Sequence, residues 1–335
     1  MNIGLRRWGL TAFSLLIVAL LPYLTGNLYQ LHILTLIAVY WILIAGLNMV
    51  VGFTGLLSIG HVGLLAIGAY AFSILAGQHS MDPFLALALA GVMGAICGLL
   101  LGLPSLRLPG FYFAMVTLAF ALIVNELSLA QKGLTGGGTG LSVPSFPGAL
   151  VTPWGYYWFV AAIAVAVTWL SWNIAHRMWG RALISVRDSE VAAAALGVPI
   201  YRCKLIVFIF SGFTAGIAGA LFASLQSYIT PETFVFELGL FFFVCIIIGG
   251  RGSIVGPLIG TIILTALPEI VAPLARLSNF FYGALLLLVV LILPEGISNL
   301  AVIIRERVRR GEDTENLIEP DTQRLRAAIR SRRTP

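Results

Sequence analysis

Long apolar runs follow one another along the chain, with short polar segments between them. From residue 8 to residue 176 the chain contains only four Asp, Glu, Lys or Arg residues, namely Asp82, Arg107, Glu126 and Lys132. A helix needs about 20 mostly apolar residues to cross the hydrocarbon core of a bilayer, and most of these runs are close to that length. The pattern predicts about ten transmembrane helices, near residues 8–25, 31–51, 57–76, 84–103, 110–131, 154–176, 204–227, 234–250, 254–275 and 280–300.

The composition supports lipid as the solvent of this chain. Of 335 residues, 59% are hydrophobic and 10% are charged, whereas a soluble domain carries about a quarter charged residues. A soluble chain of this length could not bury so much apolar surface. The expected fold class is therefore an all-α polytopic membrane protein, with its helices in a compact bundle.

Two of the ten spans are the weakest predictions. The third and the ninth are rich in glycine, and each is expected to be either a full helix or a broken or re-entrant one. The first run follows Arg6 and Arg7 and resembles a signal peptide, but no small-x-small cleavage site follows it. We expect it to be an uncleaved first span.

The basic residues predict an orientation. Ten spans place both termini on the same side of the membrane. Most basic residues outside the spans fall on that side, whereas Lys132 and Arg276 fall on the other. The first group is Arg6, Arg7, Arg107, Arg177, Arg181, Arg187, Arg202, Lys204, Arg251 and the arginines from Arg305 onward. By the positive-inside rule, both termini are expected to be cytoplasmic. The net charge of +6 therefore indicates membrane topology and not nucleic-acid binding.

The chain is expected to consist of a transmembrane domain over 1–304 and a cytoplasmic tail over 305–335. The tail has mixed charge and few large apolar residues, which is typical of a solvated, partly disordered segment; a lipid-headgroup or partner-binding role is the alternative. The longest outer segment, about 132–153, is dominated by Gly and Pro and predicts a shaped loop without a folded domain.

Small residues spaced four apart predict close helix contacts, since lipid gives helices no hydrophobic reason to associate. One such ridge consists of Gly94, Gly98 and Gly102, and another of Gly212 and Gly216. We expect these glycines to serve helix packing.

The stretch 46–70, GLNMVVGFTGLLSIGHVGLLAIGAY, combines six glycines with polar side chains. So much Gly weakens a helix, and polar groups at membrane depth usually face a cavity or a partner helix. One interpretation is a broken helix that lines a translocation path; the other is a packed helix pair whose Asn and His satisfy each other. The candidate path residues are Asn48, Ser58, His61, Thr117 and Asn125.

A charged, Ala-rich segment interrupts the apolar runs between the sixth and seventh spans, within about 177–203. Ser185 and Asp188 have the spacing of a capping box, the Ala run favours a helix, and Gly197 followed by Pro199 is typical of a helix end. The segment predicts a short cytoplasmic helix of about three turns.

The surface of this helix favours docking into another protein. Methyl groups of residues such as Ala192 and Ala193 leave a thin rod, and Arg187, Asp188 and Glu190 place charges near one end. The alternative is an amphipathic loop helix resting on lipid headgroups, but such a helix usually carries bulky apolar anchors.

No constellation for catalysis or ATP binding occurs. The chain has no HExxH, no GxSxG and no carboxylate pair inside a span. Cys97, Cys203 and Cys245 form no CxxC pair, so reduced thiols without a disulfide or a metal site are expected. Neither Lys132 nor Lys204 lies in a P-loop, so any ATP must bind to another chain.

Several motifs, taken in order, carry a family resemblance. They are the 46–70 stretch, LRLPGFYFAMVTLAFALIV, LTGGGTGL, GRALISVRDSEVAAAALGV and GGRGSIVGPLIGT. As a set, over about residues 31–300, they closely resemble the branched-chain amino acid ABC-transporter permeases of the LivM type. The segment EVAAAALG at 190–197 is similar to the coupling loop of ABC-importer permeases, although it has four alanines where relatives often place a second acid.

The resemblance implies a complete importer around this chain. Its expected partners are a second homologous permease subunit, two cytoplasmic ATPase subunits that bind ATP and Mg, an extracytoplasmic substrate-binding protein and membrane lipid, without nucleic acid. Arg187, Asp188, Glu190, Ala192, Ala193 and Gly197 would lie at the coupling helix. This chain would bind no cofactor and catalyse no reaction. It would translocate branched-chain or other small neutral amino acids inward across the bacterial inner membrane by alternating access.

Other functions stay open at this point. The same architecture could serve urea, short amides or other amino acids, because no charge in the Gly-rich stretch selects among them. A stand-alone secondary transporter is less favoured, since it would need ion-coupling carboxylates at mid-membrane. A membrane enzyme lacks visible catalytic groups.

Overall fold

The computed structural model describes residues 27–105, 108 and 110–271. Their helices are α1 Leu28–Asn48, α2 His61–Phe72, α3 Pro83–Ser105, α4 Gly110–Ala130, α5 Lys132–Thr135, α6 Pro153–His176, α7 Met178–Asp188, α8 Glu190–Ala195, α9 Ile200–Gln226, α10 Phe236–Gly249 and α11 Val255–Val271. Wider π-helical turns, Met49–Phe53 and Ser73–Gln78, extend α1 and α2. Three 3-10 helices are Gly137–Thr139, Gly148–Val151 and Pro231–Phe234, and two short strands are β1 Leu141–Ser142 and β2 Tyr228–Ile229.

Seven helices in this part of the chain are long and apolar enough to cross a membrane. They are Leu28–Phe53, His61–Gln78, Pro83–Pro104, Gly110–Ala130, Pro153–His176, Ile200–Gln226 and Pro231–Gly249. These match the second to eighth predicted spans, and Val255–Pro268, in the region of the ninth, is a shorter apolar helix. The predicted first and tenth spans and the tail lie outside the described residues, so the total of ten stays a prediction.

The seven long helices run between two ends of the bundle. The longest described helix, α9, extends from one end to the other. At about 1.5 Å per residue, its 27 residues span about 40 Å. Residues 177–199 precede α9 and define the α7 end. At the other end, called here the strand end, β2 follows α9 and pairs antiparallel with β1 of the 131–152 segment.

Glycines bring α9 into backbone contact with its neighbours, as the sequence predicted. A Cβ added at Gly94 of α3 would overlap the carbonyl of Gly212, and one at Gly216 would overlap the carbonyl of Ala90. A Cβ at Gly98 would come within 3.0 Å of the Phe208 carbonyl oxygen. Gly94, Gly98, Gly212 and Gly216 therefore lie where the backbones of α3 and α9 approach closely.

Gly102 is buried near the end of α3, and its packing role stays a prediction. On its other side α9 meets α2, where a Cβ at Gly219 would overlap the Leu65 carbonyl. Because small residues line both sides of α9, three helices share one tightly packed layer.

The helical backbone is interrupted just before the third predicted span, whose first residues are not helical, whereas the span itself is one helix from His61 to Gln78. After the π-helical turn that ends at Phe53, residues 55–59 are not helical, and α2 begins only at His61. Gly55 has a φ of +74°, a left-handed conformation that glycine adopts without strain. The glycine-rich composition of 46–70 thus indicated a real interruption. By contrast, α11 runs without a break from Val255 to Val271.

The 131–152 segment is a shaped loop, as predicted. Phe146 anchors it, because this side chain is fully buried and stacks on Phe72 with ring centroids 5.4 Å apart. It also packs against Phe84 and Phe159. One loop residue therefore ties the strand end to three helices.

Candidate functional site

Polar side chains of the break form a buried chain across the bundle. His61 Nδ1 lies 2.8 Å from Ser58 Oγ, and its Nε2 lies 2.7 Å from Ser211 Oγ of α9. The Phe208 ring covers the imidazole edge-on at 5.6 Å. All three polar residues are buried, so the imidazole links the start of α2 to the middle of α9.

Thr117 supports the same break from α4. Its Oγ1 accepts a hydrogen bond from the Ile59 amide at 3.3 Å and donates one to the Ala114 carbonyl at 2.9 Å. A Cβ at Gly60 would overlap the Thr117 carbonyl. Non-helical backbone within a membrane is tolerated where protein surrounds it, and Thr117 provides one of the partners that it needs.

The two asparagines lie at different places from this cluster. Asn48 Nδ2 donates to the Ser253 carbonyl at 2.8 Å, near the α7 end. Asn125 Nδ2 donates to the Pro231 carbonyl at 2.7 Å and holds the turn before α10. The structure therefore brings Ser58, His61 and Thr117 together and leaves Asn48 and Asn125 apart. The hydrogen bonds join packed helices, but Asn48 and His61 bond to other residues and do not satisfy each other, contrary to the helix-pairing interpretation.

A pocket of about 290 Å³ opens near the strand end, and sequence reasoning missed it. Its lining includes His32 of α1, Ser145 and Phe146 of the loop, Tyr156 of α6 and Ser224 of α9. Tyr156 is oriented by a hydrogen bond from its hydroxyl to the Leu221 carbonyl at 2.7 Å. The lining comes from four separate parts of the chain, so no local spacing in the sequence could have indicated the pocket.

The charged segment between α6 and α9 is helical, but its boundaries differ from the prediction. Instead of one helix that starts at Ser185, two helices meet at Ser189, which has an extended backbone. The predicted cap at Ser185 is wrong, because its hydroxyl donates back to the Arg181 carbonyl inside α7. Ser189 caps α8 instead, where its Oγ accepts from the Ala192 amide at 3.3 Å.

The predicted end of the segment is confirmed. Gly197 has a φ of +79°, the Val198 amide donates to the Ala193 carbonyl, and the Gly197 amide donates to the Ala194 carbonyl. This is the Schellman arrangement that ends a helix with a left-handed glycine.

The surface of α8 is apolar and exposed. Val191 and Leu196 are 83% and 81% exposed, and Ala192, Ala194 and Ala195 are exposed beside them. Ala193 departs from the expected docking set, because it is only 1% exposed and faces the rest of this chain. Val191 and Leu196 are the larger apolar side chains of this surface, and both project outward.

Two basic residues hold the segment to the bundle. Lys204 of α9 is 5% exposed, and its Nζ lies 2.6 Å from Glu190 Oε1. The Glu190 carboxylate was expected at a partner surface, and it pairs within the chain through one oxygen while 56% of its side chain stays exposed. Arg187 Nη1 donates to the Gly52 carbonyl at 3.0 Å. Among the described residues, no three His, Cys, Asp or Glu side chains are grouped as metal ligands.

The chain matches the family model of the branched-chain amino acid transport system permease component over residues 29–290. LivM, the high-affinity branched-chain amino acid transport system permease protein of Escherichia coli strain K12, is 35% identical over 79% of this chain and 69% of its own length. LivH, a permease protein with the same printed description from the same strain, is 27% identical over 78% of this chain and 92% of its own length.

A third relative has a different name. The autoinducer 2 import system permease protein LsrC of Klebsiella pneumoniae is 31% identical over 62% of this chain and 60% of its own length. No solved structure matches significantly. With more than three quarters of its length matched by the family model, this chain belongs to the branched-chain amino acid transport system permease family.

Proposed function

We propose that this chain is the membrane-spanning permease subunit of an ATP-driven importer that carries branched-chain amino acids inward by alternating access. Family membership carries this proposal, and the seven long apolar helices are the scaffold that it requires. The helices meet through glycines that permit close backbone contacts, and a short non-helical segment, 55–59, lies between the second and third spans.

The proposed location is the bacterial inner membrane, with the α7 end in the cytoplasm. Arg177, Arg181, Arg187 and Arg202 all lie at that end, whereas Lys132 lies near the strand end. This distribution follows the positive-inside rule. The pocket near the strand end would then face the outside, where an extracytoplasmic binding protein delivers the solute.

The exposed face of α8 is the proposed docking site of the ATPase subunits. Val191, Ala192 and Leu196 offer an apolar surface next to the charges of Asp188 and Glu190, which would fix the register of the contact. Gly197 ends the helix, and Ala193 attaches it to the bundle. ATP and Mg would bind to the ATPase subunits, and this chain would hydrolyse no ATP.

A second, homologous permease is the proposed membrane partner. This chain is similar to two Escherichia coli proteins, LivM and LivH, each named as a permease protein of a high-affinity branched-chain amino acid transport system. We therefore propose a complex of two different permeases, two ATPase subunits and a substrate-binding protein.

For the transported solute, the similar proteins suggest a second candidate besides branched-chain amino acids. The similarity to LsrC, an autoinducer 2 import permease, favours as second candidate a small polar solute other than an amino acid. The described helices place no charged group beside Ser58, His61 and Thr117 that would select a zwitterion over a neutral molecule.

The test is uptake by the complete complex in proteoliposomes that contain ATP, with radiolabelled leucine, isoleucine, valine, urea and autoinducer 2. We expect uptake of the three branched-chain amino acids that ceases without ATP. Uptake that is driven by an ion gradient without nucleotide would contradict the importer class. ATP-dependent uptake restricted to urea or autoinducer 2 would keep the class and replace the solute.

A further inference from the structure

Three separate pieces of the chain meet at Arg187, in the last turn of α7. Its Nη1 donates to the Gly52 carbonyl at 3.0 Å, across 135 positions of sequence. Its Nε contacts Asp188 Oδ1 at 3.2 Å. Gly52 lies in the π-helical turn that ends the first described span, and carbonyls at a helix end carry partial negative charge that favours a cation.

The Arg187 side chain lies in a slot that only glycines leave open. A Cβ at Gly252 would come within 2.6 Å of Nη1, and one at Gly55 within 2.9 Å of Arg187 Cγ. Both glycines have positive φ, +81° and +74°, so other residues would also strain the backbone there. The two turns therefore fit around this arginine, one from the end of α1 and one from the start of α11.

The same two turns are joined directly to each other. Asn48 Nδ2 donates to the Ser253 carbonyl at 2.8 Å, and a Cβ at Gly52 would come within 2.8 Å of the Gly252 amide nitrogen. The similar strings VGFTG at 51–55 and IGGRG at 248–252 thus lie against each other. Because the two backbones lie this close and the Asn48 side chain bonds across them, we expect a displacement of one turn to move the other.

We infer that Arg187 is a positioning residue for transport, which links the coupling segment α7–α8 to the paired turns at 52–55 and 250–253. The inference rests on the proposed function, since it assigns the contact through which motion of the coupling segment reaches the membrane-spanning helices. Arg187 then acts inside the permease and not on the ATPase. A push on α8 is transmitted through α7 and the guanidinium to α1, α10 and α11 at once.

The decisive variants are Arg187→Ala and Arg187→Lys, with Arg181→Ala as the matched control. Arg181 lies on the same helix and is exposed. Arg181→Ala therefore removes an equal charge without changing a contact to the turns. The complete complex is reconstituted, and the amount of leucine imported per ATP hydrolysed is measured together with the amount of bound ATPase subunit. A purely structural defect would reduce the amount of complex but would not change this ratio.

For Arg187→Ala we expect bound ATPase subunits that still hydrolyse ATP, with the ratio reduced at least about fivefold, the lower range of coupling between protein sites. Arg187→Lys, which keeps the charge and one donor, should fall between Arg187→Ala and the wild type, and Arg181→Ala should match the wild type. If Arg187→Ala cannot be recovered in folded form, Arg187→Lys alone still must lower the ratio.

Two results overturn the inference. One is an unchanged ratio in Arg187→Ala and Arg187→Lys. The other is loss of the ATPase subunits from Arg187→Ala, which would make Arg187 a docking contact. Val191→Asp tests the proposed docking function separately. It should release the ATPase subunits whether or not Arg187 links the coupling segment to the turns. If Val191→Asp leaves them bound, the docking surface is wrong, and the ratio measured for Arg187→Ala still reports on the linkage.

Discussion

The ion pair between Lys204 and Glu190 offers a direct test of how the coupling segment is held. The Lys204 ammonium is almost fully buried at the start of α9, and the Glu190 carboxylate lies 2.6 Å away at the first residue of α8. Neutralising Glu190 alone would leave a buried cation without this counter-charge. The perturbations are therefore Glu190→Gln, Lys204→Met and the double variant, in which both charges are removed.

The expected magnitude follows from the unequal exposure of the two groups. Breaking a fully buried pair by removing one partner costs about 3–5 kcal/mol, whereas exposed pairs contribute about 0–1 kcal/mol. Because Glu190 is more than half exposed, water screens the pair and partly solvates the orphaned lysine. We expect Glu190→Gln to destabilise the permease by about 1–2 kcal/mol, between these limits.

The assay is a double-mutant cycle on the purified permease, with unfolding followed by denaturant titration. A Met at position 204 keeps the length and apolar stem of the lysine, so the double variant should recover most of the stability that Glu190→Gln loses. We expect a coupling energy of about 1 kcal/mol. Independent sites add within about 0.3–0.5 kcal/mol, so a coupling energy inside that margin would refute the argument.

Transport by the same variants separates two roles of Glu190. If the carboxylate acts by neutralising Lys204, the double variant should regain uptake in the complete complex. If uptake stays lost in the double variant although stability returns, Glu190 contacts the ATPase itself, as the sequence alone suggested.

Three further predictions concern the bundle and the segment end. Gly216→Ala should separate α9 from α3 and destabilise the permease by about 1–3 kcal/mol, as overpacking does, whereas Gly133→Ala, where an added Cβ meets nothing within 4 Å, should be neutral in the same unfolding titration. A proline at position 197 cannot adopt the φ of +79° and lacks the amide that donates a hydrogen bond to the Ala194 carbonyl, so Gly197→Pro should abolish ATP-driven uptake. Gly197→Ala should cost about 1–2 kcal/mol of stability and keep uptake. His61→Leu should destabilise by about 1–3 kcal/mol because it orphans the buried hydroxyls that His61 contacts, and adding Ser211→Ala should recover part of that loss.

Features that depend on local pattern were predicted well. Apolar runs gave the second to eighth spans, because a helix must be apolar over the bilayer thickness whatever its neighbours are. The ridge of Gly94, Gly98, Gly212 and Gly216 and the helix end at Gly197 were found for the same reason, since spacing and backbone conformation are written locally. The glycine content left the third span open between a full and a broken helix, and the structure shows a full helix that begins after a non-helical segment at 55–59.

Features that depend on distant contacts were not predicted. Nothing near Arg187 in the sequence indicates Gly52 as its partner, and the Lys204–Glu190 pair arises only when α8 folds back on α9. The cap was assigned to Ser185 because its spacing to Asp188 fits a capping box. The structure instead uses Ser189, whose extended backbone lets α7 end and α8 begin at a bend.

The most direct test of the account asks which side of the membrane α8 faces and what covers it. In a variant whose native cysteines are replaced by alanine, Val191→Cys and Val151→Cys are each treated with a membrane-impermeant maleimide, on sealed vesicles of either orientation, with and without the ATPase subunits. We predict that position 191 reacts only from the cytoplasmic side and is protected by the ATPase subunits, and that position 151 reacts only from the outside. Reaction of position 191 from the outside, or equal reaction with and without the ATPase subunits, would contradict the account.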